Sequence, residues 1–282
     1  RFLAQLGVGD AQVDYHRNSG LIPLLNASDE QAATERAHFL RTVGVDCRWL
    51  TREALPTLAP DITSVLAIPA AQVNPRLVTA ILRQRCAGLG VRLRYSDPVS
   101  ALDGTTLHSA SGSEAFAQVV LASGAWTPAL AALAGVDLHG EPVKGQLLRF
   151  AAPDGLLSGF IHSRHAYLVP RHGLGLVVGA TMVTSGFDKS EDQAAIAALA
   201  AAARRLLPAL EHAAIVETWT GLRPRLAHGL PVLTTLRPGL ILATGHFRNG
   251  ILLTPITAEI VAGLVLGRHS PIDLAPFAMP SP

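Results

Sequence analysis

Two arginines in turns bounded by glycine or proline are the side chains best suited to bind a carboxylate. Arg223 lies in the stretch "GLRP", at the end of a predicted strand, where proline restricts the backbone. Arg248 lies between Gly245 and Gly250, in a turn that precedes a predicted helix. A guanidinium can bind a carboxylate through two parallel hydrogen bonds, and a helix N-terminus attracts anions. Both stretches therefore suit a small anionic ligand. Alone, the stretch around Arg248 is equally typical of an ordinary turn, and the stretch around Arg223 is more typical of a surface arginine.

A third stretch could allow a cofactor to approach the backbone closely. The apolar run "VVLA" at 119–122 is followed by Ser123, Gly124 and Ala125. A continuous apolar run of this length is typical of a strand buried on both faces, as in a parallel sheet. Small residues at its end predict either a ligand-binding turn or simply a tight turn.

The composition excludes several other classes of function. The chain has 282 residues, 49% of them hydrophobic, and a formal net charge of +2, so we expect neither a nucleic-acid nor a membrane partner. Cys47 and Cys86 form no disulfide framework and indicate a reducing compartment. The surroundings of His162, His165 and His172 are predicted to be strands of a sheet, and no metal site is expected. No hydrolase motif of the G-x-S-x-G type occurs.

The order of predicted elements indicates two kinds of domain. A capping box at Ser28 and Gln31 predicts a helix over 29–40, and the pair Asn74-Pro75 predicts the start of another. Further helices are predicted over 191–207 and 255–266. Strands are predicted over 91–95, 99–102, 105–110, 119–122, 143–150, 167–169, 174–182, 215–220 and 240–244. The pattern predicts an α/β domain into which an antiparallel α+β domain is inserted.

Several stretches together resemble the D-amino-acid oxidase superfamily of FAD-dependent oxidoreductases, and most closely its glycine oxidases. They include "VVLASGAWTPALAALAGV", "PVKGQLLRF", "YLVPR", "LVVGATM", "ETWTGLRP" and "ATGHFRNGILLTPITAEIVAGLVLG". The resemblance covers most of 74–267. It implies that 1–71 and 141–218 belong to a substrate domain with an antiparallel sheet. The FAD-binding α/β domain would then comprise 72–140 and 219–282, the latter with a C-terminal tail.

The resemblance also implies roles for individual residues. Arg223 would bind the substrate carboxylate, with Arg248 as a second arginine near it, and Tyr167 and Met182 would line the substrate pocket. The backbone of Val99 would meet the adenine of FAD. The segment that wraps the flavin and its phosphates would consist of His246, Phe247, Arg248, Asn249, Gly250, Ile251 and Leu252.

One motif of the resembled family is missing from the sequence. These proteins open with a strand, a G-x-G-x-x-G turn and a helix, whose backbone holds the FAD pyrophosphate. Gly7-Val8-Gly9 and Gly173-Leu174-Gly175 lack the third glycine. We therefore expect the chain to be truncated at its N-terminus, with an incomplete FAD-binding domain, and to bind FAD poorly by itself. A further departure is Arg225, where the family usually has glycine after "GLRP".

The activity implied by the resemblance is the FAD-dependent oxidative deamination of glycine or a similar small amino acid or amine. Hydride would pass to the flavin, and oxygen would reoxidise it to give hydrogen peroxide, in a cytoplasmic enzyme that could serve thiamine biosynthesis. Two alternatives stay open. One is another substrate, such as sarcosine, proline or a D-amino acid, or another electron acceptor. The other is an inactive remnant or an interaction module. A homo-oligomer is also left open.

Overall fold

The computed structural model describes residues 2–279. Its α-helices are α1 (Phe2–Gln5), α2 (Ala27–Thr42), α3 (Pro75–Gly88), α4 (Thr127–Leu133), α5 (Gln193–Leu206) and α6 (Gly250–Val265). Its first seven strands are β1 (His16–Pro23), β2 (Arg48–Thr51), β3 (Ser64–Gln72), β4 (Ala101–Asp103), β5 (Thr106–Ser109), β6 (Gly112–Ala115) and β7 (Val119–Leu121). The others are β8 (Gly140–Phe150), β9 (Phe160–His162), β10 (Tyr167–Arg171), β11 (Gly175–Gly179), β12 (Val183–Thr184), β13 (Ile215–Leu226), β14 (Val232–Arg237) and β15 (Leu240–Thr244).

The chain divides into two compact units, and each unit is assembled from three separate segments. The first unit contains Arg1–Cys86, Gly145–Met182 and Ser190–Thr220. The second contains Ala87–Lys144, Val183–Lys189 and Gly221–Pro282. The two units are therefore interleaved along the chain, and the domain boundaries expected from the sequence stay a prediction. Which unit binds FAD and which binds substrate stays a prediction.

The first unit is built on a sheet with the strand order β8-β11-β10-β9-β1-β3-β2. All of its pairs are antiparallel except that β1 runs parallel to β9. Alternate residues of a strand point to opposite faces, so Leu148 and Phe150 of β8 enter the core with Leu168 of β10. Apolar residues of α5, such as Leu199 and Leu206, pack against the same core. The predicted antiparallel sheet with a covering helix is therefore present.

Two helices of the first unit show how local signals determine where a helix begins. The side chain of Asn74 accepts a hydrogen bond from the backbone N–H of Arg76 at 3.1 Å, and α3 begins at Pro75, which confirms that prediction. The predicted cap of α2 at Ser28 was wrong. Asn26 is extended and its side chain caps Asp29 at 3.0 Å, so the helix begins two residues earlier than expected. Asparagine is at least as good an N-cap as serine, which explains the difference.

The second unit contains a small three-stranded sheet in the order β14-β15-β7 and a meander of β4, β5 and β6. Strand β15 is buried along its whole length. It pairs antiparallel with β14 and parallel with β7, so the buried parallel strand predicted at 119–122 is present. Together with α4 and α6, this gives the unit its α/β character. The N-terminal part of β8 pairs with β12, and Val183 is the cross-strand partner of Lys144.

Two predicted elements of the second unit were wrong. The stretch 91–95 is not a strand, although its residues alternate in polarity; no other described segment pairs with it, and Val91 and Tyr95 are exposed. The helix predicted from Pro255 begins instead at Gly250, so that Pro255 lies inside α6. Ile260 of α6 packs into a cluster with Ala243 of β15, and this tertiary contact outweighs the local tendency of proline to end a helix.

No helix within residues 2–279 combines the length and the apolar character that crossing a membrane requires.

The core of the first unit yields a stability prediction. Phe150 is fully buried, with 0% of its surface exposed, whereas Phe39 on α2 is 62% exposed. Phe150→Ala should lower the free energy of unfolding by about 3–5 kcal/mol, because it removes a large buried ring and leaves a cavity. Phe39→Ala should change it by no more than about 0.5 kcal/mol. Chemical denaturation followed by circular dichroism measures both, and equal losses would contradict the placement of Phe150.

Candidate functional site

Two of the glycine-containing turns singled out in the sequence lie at one edge of the sheet in the second unit. Because β7 and β15 run parallel, their carboxyl ends point the same way, and each is followed by one of the turns. The hydroxyl of Thr244 at the end of β15 donates a hydrogen bond to the carbonyl of Gly124 at 3.2 Å. Ligands of α/β sheets commonly bind beyond the carboxyl ends of the strands. The edge is therefore the natural place for a cofactor.

The "GLRP" stretch is joined to the same edge by a backbone hydrogen bond. The N–H of Phe247 donates to the carbonyl of Pro224 at 3.1 Å. This bond places the residues adjoining Arg223 beside those adjoining Arg248. The "GLRP" stretch and the turns after β7 and β15, which the sequence presents as three separate stretches, thus form one continuous group within the second unit.

The turn after β15 adopts a backbone that few residues tolerate. Gly245 has φ +82°, and a Cβ atom there would overlap the side chain of Leu226. Phe247 has φ +47°, which is a rare conformation for an aromatic residue. Unfavourable conformations of this kind are retained where the surrounding structure demands them, often at functional sites. The turn is therefore specialised and differs from an ordinary connection of strand and helix.

Helix α6 begins at the end of this turn and has no side-chain cap at Asn249. The first turn of any α-helix carries backbone N–H groups without intrahelical acceptors, and its positive dipole end attracts anions. Two apolar side chains on the same first turn are exposed to solvent. They are Leu252, which is 76% exposed, and Ile251. An uncapped helix end beside exposed apolar side chains suits a ligand with both a negative and a flat apolar part.

The imidazole of His246 is partly buried in this turn. Burial lowers its pKa below the ordinary value for histidine. A ring nitrogen of His246 lies 2.9 Å from the hydroxyl of Thr257 on α6. The imidazole is therefore neutral near pH 7. Its hydrogen bond with Thr257 links the turn to α6.

Arg225, which departs from the family pattern, has its own partners in the second unit. Its guanidinium donates to the carboxylate of Glu141 on β8 and to the hydroxyl of Thr184 on β12, the latter at 3.3 Å. The side chain is 42% exposed. Arg225 and Arg223 share a face of β13 by strand alternation, but the contacts of Arg225 are those of a structural link between strands.

Tyr167 lies in the first unit, on β10, and lines a pocket of about 260 Å³. Arg149, Glu217 and Trp219 also line the pocket. Arg76 and Arg149 both bond to Glu217, at 2.6 and 3.1 Å, and hydrogen bonds from these two arginines hold the pKa of Glu217 below its usual range. With two arginines and one glutamate, this group carries a net positive charge.

Met182, also in the first unit, was expected at the end of a strand but lies beyond it. Strand β11 ends at Gly179, and Met182 stands in an irregular segment with 60% of its surface exposed. The predicted strand over 174–182 was thus too long by three residues at its C-terminal end. An exposed methionine is compatible with a role in contacting a ligand, since its flexible side chain adapts to apolar surfaces.

Val99 lies in the second unit, outside any strand, although a strand over 99–102 was predicted; β4 begins only at Ala101. Val99 lines a pocket of about 400 Å³ with Arg92, Arg94 and Phe116. The pocket combines guanidinium groups with an aromatic ring, which are groups that can contact a nucleotide.

Another pocket of the first unit, of about 240 Å³, contains none of the predicted site residues. His16, Asn18, Gln72 and Arg171 are among the residues that line it. Arg171 is paired with the buried Asp14 at 3.4 Å, and the side-chain oxygens of Asn18 and Gln72 are buried without a hydrogen-bond partner. Because neither the sequence patterns nor the resemblance gives these residues a role in ligand binding, we assign the functional site to the residues described above.

Comparison with known proteins decides the family. The family described as "FAD dependent oxidoreductase" matches residues 2–264. The chain belongs to this family. The glycine oxidase of Geobacillus kaustophilus (strain HTA426) is 37% identical over 274 residues, which are 92% of this chain and 73% of the relative. The "Bifunctional protein ThiO/ThiG" of Nostoc sp. is 35% identical over 244 residues, 81% of this chain and 37% of that protein.

Solved structures of the family show the same fold. The crystal structure of glycine oxidase from Geobacillus kaustophilus superimposes with a TM-score of 0.92 at 31% sequence identity. The match covers all of this chain and 78% of the other. The chain thus has the mixed α/β fold of an FAD-dependent oxidoreductase, as the sequence predicted.

The second unit contains groups that fit FAD, the cofactor of this family. Gly245 lets the turn pack closely against Leu226, because a Cβ there would overlap that side chain. The uncapped α6 offers N–H groups to a phosphate, and Ile251 and Leu252 offer apolar surface to a ring system. The residues present are therefore compatible with binding of FAD.

Sequence analysis missed two contacts of the second unit that shape its surface. The rings of Trp126 and Phe187 lie 5.5 Å apart, and both side chains are exposed. Lys144 is buried on β8 and pairs with Asp188 at 2.9 Å. A lysine within the apolar strand "PVKGQLL" was a signal that it needs a partner, since buried charges are normally paired. No sequence pattern identified the aromatic pair.

We predict that Gly245→Ala is far more damaging than Gly250→Ala. Gly245 requires a left-handed backbone, which costs an L-residue about 1–2 kcal/mol, and its added methyl group meets Leu226. At Gly250 the nearest atom to an added methyl group is 3.8 Å away, and φ is ordinary. Thermal or denaturant unfolding should show a loss of at least about 2 kcal/mol for the first variant and little change for the second. Equal stability of the two variants would contradict the geometry of this turn.

A second prediction concerns pH. Because burial lowers the pKa of His246 in the folded state, the unfolded chain binds a proton first as the pH falls. The contribution of His246 to stability is thus fully present above about pH 6.5 and is lost as the pH falls through that value towards the folded pKa. His246→Gln should show a smaller loss of stability between pH 7.5 and pH 5 than the parent protein.

The exposed His38 on α2 provides the control for this measurement. His38→Gln makes the same exchange at an exposed position and shows what replacing a histidine by glutamine does by itself. If His246→Gln and the parent protein lose the same stability on acidification, His246 is not held neutral by burial.

Proposed function

We propose that the protein oxidises glycine or a similar small amino acid or amine in an FAD-dependent reaction. The observation that carries the proposal is the hydrogen bond from Phe247 to Pro224, which joins "GLRP" to the turn before α6. This places two arginine-bearing stretches beside groups that fit FAD. Relatives named glycine oxidase, at 37% identity over most of this chain, support the substrate class.

The carboxylate of the substrate is assigned to Arg223. The residue is half-buried within β13, and a guanidinium fork matches the two oxygens of a carboxylate. Binding the carboxylate in this way fixes the orientation of the adjoining carbon, which accounts for much of the catalysis when the cofactor supplies the reactive group. Arg248 is assigned as a second arginine near the carboxylate.

The remaining assignments follow the same resemblance. Tyr167 and Met182 line the substrate pocket, His246–Leu252 hold the flavin and its phosphates, and the backbone of Val99 meets the adenine. FAD held by these residues would supply the hydride acceptor for oxidation of the substrate carbon. No side chain has to remove a proton beforehand if the amine enters neutral, because its lone pair supplies the electrons for the imine.

The proposal also includes an electron acceptor, a metabolic role and a cellular compartment. Oxygen is the proposed acceptor, with hydrogen peroxide as product. A role in thiamine biosynthesis is supported by the relative named "Bifunctional protein ThiO/ThiG". The free cysteines Cys47 and Cys86 support a reducing compartment and hence the cytoplasm.

The test of this proposal is substitution of Arg223 in the flavin-loaded protein. Removing one partner of a desolvated charge pair typically costs about 2–5 kcal/mol. Arg223→Ala should therefore lower kcat/KM for glycine roughly 30-fold to several thousand-fold, since each ~1.4 kcal/mol is a factor of ten. Arg223→Lys should recover only part of this loss, because a lysine lacks the fork. Steady-state kinetics with glycine and sarcosine measures both.

Arg225 is the matched control, because it lies on the same strand and is engaged by Glu141 and Thr184. Arg225→Ala should change kcat/KM only a few-fold, as is usual for a partly exposed ion pair. If Arg225 proves essential while Arg223 is dispensable, the carboxylate has been assigned to the wrong arginine.

A further inference from the structure

The ring of Tyr167 lies directly against the backbone of a glycine. Tyr167 on β10 and Gly179 on β11 are cross-strand partners in the antiparallel register. A Cβ atom at Gly179 would lie 2.5 Å from the hydroxyl oxygen of Tyr167, 2.6 Å from Cζ and 3.0 Å from Cε2. The phenol therefore occupies the space in which any other residue at position 179 would place its side chain.

A left-handed backbone does not explain this glycine, because Gly179 is not among the glycines with positive φ. Its special property is the missing side chain, which lets an aromatic ring on the neighbouring strand cover it, as occurs at other glycines in sheets.

We propose that Gly179 is a positioning residue that fixes the ring of Tyr167 and thereby sets which amines the substrate pocket accepts. The inference rests on the proposed function, in which Tyr167 lines that pocket. Ordinary contact begins near 3.4 Å, so a methyl group at 179 displaces the hydroxyl by about 0.9 Å, the difference between 3.4 and 2.5 Å. Misplacement by ~1 Å can cost an enzyme roughly a hundredfold in rate.

The displacement of the ring predicts a loss of kcat/KM that depends on the size of the substrate. Gly179 is not one of the residues that line the 260 Å³ pocket, whereas Tyr167 is. A methyl group at 179 therefore acts on the pocket through the ring of Tyr167, which it displaces as one wall of the pocket. Substrates with a larger substituent on the amine should lose more than glycine does, because one methylene in a tight pocket is worth roughly 10-fold or more.

The first measurement needs neither flavin nor turnover. The chain has three tyrosines, Tyr15, Tyr95 and Tyr167, so labelling with 3-fluorotyrosine gives three ¹⁹F NMR resonances. Tyr167→Phe identifies the resonance of Tyr167. Gly179→Ala should shift or split this resonance and leave the other two unchanged. An unmoved Tyr167 resonance in Gly179→Ala overturns the inference.

The second measurement tests selectivity in the flavin-loaded protein. Gly179→Ala should lower the ratio of kcat/KM for sarcosine to that for glycine about 10-fold. In a Tyr167→Ala background, where no ring remains to be displaced, Gly179→Ala should change the ratio less than 2-fold. An equal change in both backgrounds would show that Gly179 acts independently of Tyr167 and would overturn the inference.

Gly88→Ala is the control for a glycine substitution as such. Gly88 ends α3, has an ordinary φ, and has no atom within 4 Å of an added methyl group. It should leave the ¹⁹F spectrum and the selectivity ratio unchanged. If the unsubstituted protein oxidises neither amine, the proposed function fails and the selectivity part of the inference with it. The NMR spectrum still decides whether Gly179 positions the ring.

Discussion

The parallel hydrogen bonding of β7 with β15 is the constraint on which the second unit depends. Thr244 and Gly124 are 120 positions apart in the sequence, yet their hydrogen bond requires them to meet at one edge of the sheet. Closing a loop of that length costs conformational entropy. Complete burial of the apolar strand β15 opposes this cost. Once the edge is formed, the left-handed turn at Phe247 brings the N–H of that residue to the carbonyl of Pro224. This hydrogen bond holds the two arginine-bearing stretches side by side.

Much of this arrangement could be predicted because its signals are local. Asn74 and Pro75 specify the start of α3 by themselves, since one supplies the cap and the other the first helical residue. The apolar run at 240–244 specifies a buried strand without reference to its neighbours. The "GLRP" and "GHFRNG" stretches could be recognised as a group only by resemblance. Local physics favoured a surface arginine for the first and left the second equally consistent with an ordinary turn.

The features that sequence analysis missed depend on contacts between distant segments. Alternating polarity at 91–95 is typical of a strand, but a strand also needs a partner for its backbone, and no described segment supplies one. Helix α6 begins five residues before Pro255 because its packing against β15 compensates for the hydrogen bond that proline removes. The pairing of Tyr167 with Gly179 follows from strand register, which the identity of either residue alone does not reveal.

The interleaving of the two units has a consequence for synthesis on the ribosome. The first unit needs segments from Arg1–Cys86, Gly145–Met182 and Ser190–Thr220, so its sheet remains open until most of the chain has emerged. The second unit in turn needs β15, which is made later still. Neither unit can therefore fold as a continuous nascent segment. Apolar strands such as β7 remain exposed to solvent until the strands that pair with them have been synthesised. Chains with such non-local pairing fold slowly and depend on protection from aggregation, so we expect chaperone dependence to be a property of this topology.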